Sequence, residues 1–283
     1  MDTADVSALT QRIQELEREN ARLKAILDKN GIEYGSFESK TCETNHLEAT
    51  AISTCQFTLQ EKVALFQSLF QGREDVFARR WYSSTTQKSG YQPVCNREWV
   101  REFCDKRKYK CADCPNRQFA PLTYNDIFNH LAGKDALGRD VIGLYPIRKD
   151  NTCCFLCTDF DDKSCEHGYK NDVLAFVNVC KTWNVPCYIE RSRSGNGAHV
   201  WIFFEMPITA FKARKLGNAI LTEAMNSDAH LSFKSYDRFF PNQDTLPEGG
   251  LGNLVALPLQ GMARRKGNSV FVDENFNAYA DQW

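Results

Sequence analysis

The stretch Ser194-Gly-Asn-Gly-Ala-His199-Val-Trp-Ile-Phe-Phe204 limits the fold of this chain more than any other. Its first four residues form a tight turn, in which glycine lets the backbone come close to a ligand. Val200 to Phe204 are β-branched or aromatic and read as a buried strand. His199 stands where the turn becomes the strand. Roughly forty residues earlier, Cys153-Cys-Phe-Leu-Cys-Thr-Asp159-Phe-Asp161-Asp162 reads as an apolar strand ending in carboxylates. A fold that joins the two stretches gathers a histidine and several aspartates at one mouth.

The surrounding pattern predicts such a fold. Residues 153–160 read as strand 1, 186–191 as strand 2, 199–205 as strand 3 and 236–240 as strand 4. A helix over 170–183 puts Val173, Phe176, Val177 and Cys180 on one face, and a second over 210–225 aligns Ala213, Leu216, Ile220 and Ala224. The order β-α-β-β-α-β is the split βαβ arrangement of RNA-recognition-type folds, an α+β class. Its usual strand order, 4-1-3-2, sets strands 1 and 3 side by side and antiparallel. Asp159 and Asp161, two apart on one strand, face the same way. His199 begins the neighbouring strand at that end, and Asp237 reaches it from strand 4. Two further strands, 253–259 and 269–273, are expected to pair as a hairpin through the basic turn Arg264-Arg-Lys-Gly-Asn268.

Carboxylates placed this closely repel one another, by about 4 kcal/mol at 4 Å and an effective dielectric of 20. With no matching buried lysine they imply a bound divalent cation, and all-oxygen ligation suits magnesium or manganese. Such ions commonly clamp phosphoryl oxygens. The glycine turn, with Gly195 and Gly197, and the side chains of Arg191, Arg193 and Arg264 would hold a triphosphate. The plainer reading of Asp159-Phe-Asp161-Asp162 taken alone is a solvated strand end.

Upstream, Val6, Leu9, Ile13, Leu16, Asn20, Leu23 and Leu27 follow a heptad. One Asn at an a position favours a parallel two-stranded coiled coil, so a homodimer through residues 6–27 is expected. A helix packed on its own domain is the alternative. Residues 30–56 read as a linker. Thr58 and Glu61 form a capping box opening a helix with Val63, Phe66, Leu69 and Phe70 on its apolar face. Arg73, Arg79, Arg80 and Lys88, interleaved with Phe77, Trp81 and Tyr82, suit single-stranded nucleic acid or simply a solvated helix end. Cys95, Cys104, Cys111 and Cys114 are spaced for a structural zinc, with basic residues between the ligands. Twelve cysteines without an export signal favour metal ligation and reduced core thiols over disulfides. Cys153, Cys154, Cys157, Cys180 and Cys187 read as small buried hydrophobes. Net charge is −1, so nucleic-acid binding has to come from local patches. No apolar run approaches ~18 residues, and a soluble, cytoplasmic protein with no membrane partner is expected.

Asp159-Phe-Asp161 resembles the paired-aspartate first motif of the archaeo-eukaryotic primase superfamily. Ser194-Gly-Asn-Gly-Ala-His199-Val-Trp resembles its Ser…His second motif, with a turn slightly shorter than in the eukaryotic primase form. Asp237, in Ser235-Tyr-Asp-Arg-Phe-Phe-Pro-Asn-Gln-Asp244, resembles the third motif, and Asp244 is a second candidate. From about Phe57 to Trp283 the chain is similar to the primase-polymerase domain of TOTE conflict systems. The similarity rests on Gly72-Arg-Glu-Asp75, the four-cysteine knuckle, Glu190-Arg-Ser-Arg-Ser194, Leu257-Pro-Leu-Gln260 and Asp281-Gln-Trp283.

The resemblance implies template-directed nucleotidyl transfer with two divalent metals held by Asp159, Asp161 and Asp237. Ser194 and His199 would bind the nucleotide, with His199 on the triphosphate. It also implies a helicase partner, fused or separate. The expected layout is a coiled-coil helix over 1–29, a linker over 30–56, a helical and zinc-knuckle region over 57–135 and a catalytic palm over 136–283. The expected activity is that of a DNA-dependent primase-polymerase using NTP or dNTP on a single-stranded or primed DNA template. A zinc-dependent nucleic-acid-binding module with a vestigial site is the alternative, and a metal nuclease fits the arginines less well.

Overall fold

A computed structural model of the chain describes residues 57–162, 168–227 and 234–283, together with 13–15, 17–22, 24–26 and 29. The chain divides into two compact units, Met1–Ser53 and Thr54–Trp283. In the first unit the described residues are helical and exposed, and Arg22 pairs with Glu19 one turn back at 3.7 Å. Of the heptad, Ile13 and Asn20 fall on this helix. Val6, Leu9, Leu16, Leu23 and Leu27 lie outside the described residues.

The second unit opens with α1 (Leu59–Leu69), where Thr58 Oγ1 accepts from Glu61 N and Glu61 Oε2 accepts from Thr58 N at 2.6 Å. That reciprocal cap satisfies two orphan donors of the first turn. The chain continues through β1 (Ala78–Tyr82), β2 (Ser89–Pro93), α2 (Tyr124–Ala132) and β3 (Ile142–Leu144). Then come β4 (Thr152–Asp161), α3 (Tyr169–Thr182), β5 (Tyr188–Arg191), β6 (Gly197–Thr209), α4 (Ala210–Ser227) and β7 (Tyr236–Phe240). The last elements are β8 (Val255–Ala256), α5 (Gly261–Arg265) and β9 (Val270–Val272).

The larger sheet runs β7-β4-β6-β5-β9, all antiparallel. Its first four strands stand in the order expected of strands 4, 1, 3 and 2. Because side chains alternate along a strand, β4 and β6 sort their residues onto two faces. Leu156, Phe160, Val200 and Ile202 pack with Val173, Phe176 and Ile220 of α3 and α4. Phe155, Cys157 and Trp201 pack the other way, against Val63 and Phe66 of α1, Ile127 of α2 and Leu144 of β3. A second antiparallel sheet, β2-β1-β3-β8, lies on that side.

The expected hairpin between residues 253–259 and 269–273 does not form. β8 pairs with β3 in the second sheet, whereas β9 pairs with β5 at the edge of the larger one. Gln260 is the cause. It is almost fully buried, its Oε1 accepts from Ala263 N at 2.9 Å, and its Nε2 donates to Asp140 Oδ1 at 2.9 Å. A buried amide satisfied in this way caps a turn of helix and sends the chain from one sheet to the other.

The Gly72-Arg-Glu-Asp75 run braces the same unit. A Cβ on Gly72 would stand 2.3 Å from the Tyr145 carbonyl oxygen. Arg73 is buried, grips Asp75 through Nε and Nη2 at 2.7 and 2.9 Å, and reaches the Gly250 carbonyl at 3.3 Å. The Arg73 guanidinium holds the Asp75 carboxyl well below the usual carboxylate range. No helix among the described residues is long and apolar enough to cross a membrane.

Candidate active site

Asp159 lies opposite His199 on β6 and opposite Arg238 on β7, and His199 in turn lies opposite Glu190 on β5. One rung of the sheet therefore reads Arg238, Asp159, His199, Glu190. Asp161 follows two residues after Asp159 on the same face, at the end of β4.

Asp237 reaches this face through an irregularity. Asp159 pairs with Arg238, but the next residue, Phe160, pairs with Tyr236. Asp237 is thus the extra residue of a β-bulge, a device that re-aims a side chain. One carboxylate oxygen each from Asp159, Asp161 and Asp237 lie within 4.8 Å of one another. Asp244, the other candidate of its motif, instead pairs with Arg214. Arg238 Nε donates to Asp237 Oδ2 at 2.5 Å. That bond raises the Arg238 pKa, and Asp159 and Asp161 add to the rise.

His199 is held from behind. Its Nδ1 is 2.9 Å from Glu190 Oε2, and its Nε2 is 3.4 Å from Asp159 Oδ1. Glu190 is 1% exposed; its Oε2 also accepts from Trp201 Nε1 at 2.8 Å, and its Oε1 lies 3.5 Å from Ser269 Oγ. Burial opposes a charge on His199, but the Glu190 and Asp159 carboxylates outweigh it and lift the pKa to about 10.

The turn before β6 is fixed by two glycines. Gly195 has φ +83°, and a Cβ there would stand 2.9 Å from Asn268 Oδ1. A Cβ on Gly197 would stand 2.4 Å from the Phe160 carbonyl oxygen, so only glycine lets β6 start this close to β4. Ser194 Oγ accepts from Asn196 N at 3.3 Å and lies 3.1 Å from Ser192 Oγ.

The arginines divide. Arg191 donates to the Gly267 and Phe276 carbonyls at 2.7 and 2.5 Å, tying β5 to the segment around β9. Arg193 projects toward the second sheet, where its charge adds to burial in lowering the Arg80 pKa. Arg264 is half-buried on α5; burial, then the neighbouring Arg265 charge, lowers its pKa.

Cys95, Cys104, Cys111 and Cys114 are half-buried and free of disulfides. Cys111 has its thiol pushed up by burial, and the Cys104 and Cys95 sulfurs lie near enough to add to the rise. Among the described residues, only Asp159, Asp161 and Asp237 bring three or more His, Cys, Asp or Glu ligand atoms within 4.8 Å of one another.

Two residues of the site have no role assigned from the sequence: Glu190, which enters only as part of the Glu190-Arg-Ser-Arg-Ser194 resemblance, and Arg238. The signal for Glu190 is a carboxylate inside a run that otherwise reads as a buried strand. Arg238 is marked only by its place beside Asp237. The fit to a cation is good, because hard oxygen donors converge on one point at a solvent-facing end of the sheet.

Among solved structures, the polymerase domain of ligase D from Mycobacterium tuberculosis in complex with DNA is similar to this chain. It is 10% identical over 71% of this chain and 72% of that one, with a TM-score of 0.41. No curated protein matches the chain. The family described as the archaeo-eukaryotic primase domain of TOTE conflict systems matches residues 61–283. That span holds β4, the turn before β6, β7 and the cysteine knuckle, and the chain belongs to this family.

Proposed function

We propose that the chain is a template-directed nucleotidyltransferase, a DNA-dependent primase-polymerase that uses NTP or dNTP on a single-stranded or primed DNA template. The observation that carries this is the convergence of Asp159, Asp161 and Asp237 beside a histidine held by buried Glu190. In the reaction a primer 3′ hydroxyl, or that of an initiating nucleotide, attacks the α-phosphorus of the incoming nucleotide, and pyrophosphate leaves.

Asp159, Asp161 and Asp237 would hold two magnesium or manganese ions. Bound there, such ions lower the pKa of the attacking hydroxyl and neutralise the triphosphate. His199, fixed through Nδ1, turns Nε2 toward the mouth, where a charged imidazole donates to a phosphate oxygen. Gly195 and Gly197 leave the turn bare of side chains, so that a triphosphate can approach its backbone and the Ser194 hydroxyl. Arg193 and Arg264 would add positive charge nearby, whereas Arg191 acts by holding the segment around Gly267. Cys95, Cys104, Cys111 and Cys114 would close on a structural zinc.

Incorporation of labelled nucleotides, on primed and unprimed templates, in magnesium and in manganese, tests the proposal. Metal-dependent extension is expected on primed DNA. Oligonucleotide binding with no incorporation under any of these conditions would reduce the chain to a binding module. Residues 6–27 are proposed to pair two chains, and a helicase, fused or separate, would supply unwound template. Light scattering should give twice the protomer mass for the full chain and a single mass for one starting near Phe57. Equal states for both would mean that the heptad does not dimerise.

A further inference from the structure

The outer face of the β1–β2 hairpin carries residues that the active site does not use. Arg79 and Trp81 alternate along β1 with Ala78, Arg80 and Tyr82, so they share a face. Across the hairpin Trp81 lies opposite Gly90, and Arg79 opposite Gln92. A Cβ on Gly90 would stand 3.0 Å from the Trp81 ring. The missing side chain lets the indole lie against the strand while 36% of the residue remains exposed.

The row continues into the cysteine knuckle. Lys106 Nζ donates to Gln92 Oε1 at 3.3 Å and to Glu98 Oε1 at 2.5 Å. The same ammonium stands 4.0 Å from the centroid of the Trp99 ring. Trp99 is 75% exposed, and its φ of +64° is a conformation that bulky residues rarely adopt. The pairing of ring and cation recurs beside it. Arg97 lies 4.5 Å from the Phe103 ring and Lys108 lies 5.2 Å from the Tyr109 ring, both rings more than a third exposed.

Between Cys95 and Phe119 basic side chains outnumber acidic ones seven to four, although the whole chain carries a net −1. An exposed ring offers a face on which any base can stack, and a cation at its edge meets the adjoining phosphate. Repetition of that unit within one short segment matches a polymer that repeats base and phosphate. Protein interfaces are depleted in lysine, whereas lysines stand at two of these three rings.

We propose that this face binds single-stranded nucleic acid, with Trp81 and Trp99 as stacking platforms and Arg97, Lys106 and Lys108 on the phosphates. This rests on the nucleic-acid reading above and adds a place for the strand outside the catalytic mouth.

The test is the anisotropy of a fluorescein-labelled oligothymidylate of about 20 nucleotides, titrated with full-length protein without added magnesium or manganese. Trp81→Ala and Trp99→Ala should each weaken binding roughly tenfold. Trp99→Phe should lose little. Gly90→Val, which pushes the Trp81 ring off its seat without removing it, should weaken binding like Trp81→Ala. Circular dichroism checks that each variant is folded, and the exposed Trp99 serves even where Trp81 variants fail to fold.

Unchanged binding by Trp99→Ala and by the double tryptophan variant would overturn the proposal. So would a drop in concentration-dependent mass with binding intact, which would make the face a contact between copies. Tryptophan-dependent binding by a protein that incorporates no nucleotide would sink the polymerase reading and leave this site standing. Normal incorporation with tryptophan-independent binding would do the reverse.

Discussion

Glu190 Oε2 lies 2.9 Å from His199 Nδ1, which fixes the imidazole from its buried side and leaves Nε2 on the side of Asp159, 3.4 Å from its Oδ1. Trp201 Nε1 donates to the same oxygen, so one carboxylate positions two neighbours on β6. Glu190→Gln keeps an oxygen for Trp201 but removes the charge that favours a protonated His199. Nucleotide affinity should fall roughly tenfold, and His199→Ala should lower it by a similar factor. In the double variant the losses should not add, because both remove the same contact. Additive losses, measured by nucleotide titration, would mean that Glu190 acts by another route.

The carboxylates give a prediction with two readouts. Asp159→Asn or Asp161→Asn should bring nucleotide incorporation to background while the fold survives, since asparagine keeps the size of the side chain and neither residue belongs to the apolar core. Without metal Asp161→Asn should melt no lower than the unmodified protein, because it removes a like-charge repulsion, whereas Asp159→Asn also gives up the attraction to a protonated His199. Magnesium or manganese should raise the melting temperature of the unmodified protein and leave the variants unmoved. Near-normal turnover by either variant would remove the metal role from this cluster.

His130 on α2 predicts a pH dependence of stability. It is fully buried, with Nε2 2.8 Å from the Pro258 carbonyl and Nδ1 accepting from Ile142 N at 3.2 Å. Both bonds suit the neutral ring, and burial lowers the pKa to about 4. The unfolded chain, with a histidine pKa near 6.5, therefore binds more protons between these values. Stability is fully present above about 6.5 and falls as pH drops toward 4, by about 3 kcal/mol at most. Urea unfolding from pH 7 to pH 4.5 should show a shallower decline in His130→Gln. An equal decline in both proteins would assign the loss to other groups.

Zinc should accompany the protein at about one equivalent when it is purified without chelator. Four half-buried thiols in one short segment are otherwise an unusual use of cysteine. Cys111→Ser should lower the zinc content and loosen the segment between Cys95 and Cys114. Elemental analysis that finds no zinc in fresh protein would rule the site out.

Much of the larger sheet is legible in the sequence, because its strands and helices carry clean local periods. Phe155 and Cys157 alternate with Leu156 and Thr158, and the same alternation puts Asp159 and Asp161 on one face. His199 follows from its neighbours in the same way. Alternation along Tyr236–Phe240 alone would put Asp237 on the face of Phe239; the bulge changes its phase, and a bulge leaves no mark in residue type. The second sheet is hidden for another reason. It unites β1 and β2 with β3 and the two-residue β8, which pair across long stretches of chain and carry little pattern of their own. The hairpin expected near the C-terminus gives way to Gln260, whose effect depends on Asp140, far away in sequence.

The rung Arg238, Asp159, His199, Glu190 takes one residue from each of four strands, and their spatial order is not their order along the chain. A slip of a single position in any of them would swing its contributor through the sheet and onto the helices. The site therefore has no partial form that a loosely collapsed chain could offer. On the proposed function, chemistry would begin only once the β7, β4, β6 and β5 pairings have all locked, so a misregistered or half-folded chain would be silent rather than error-prone.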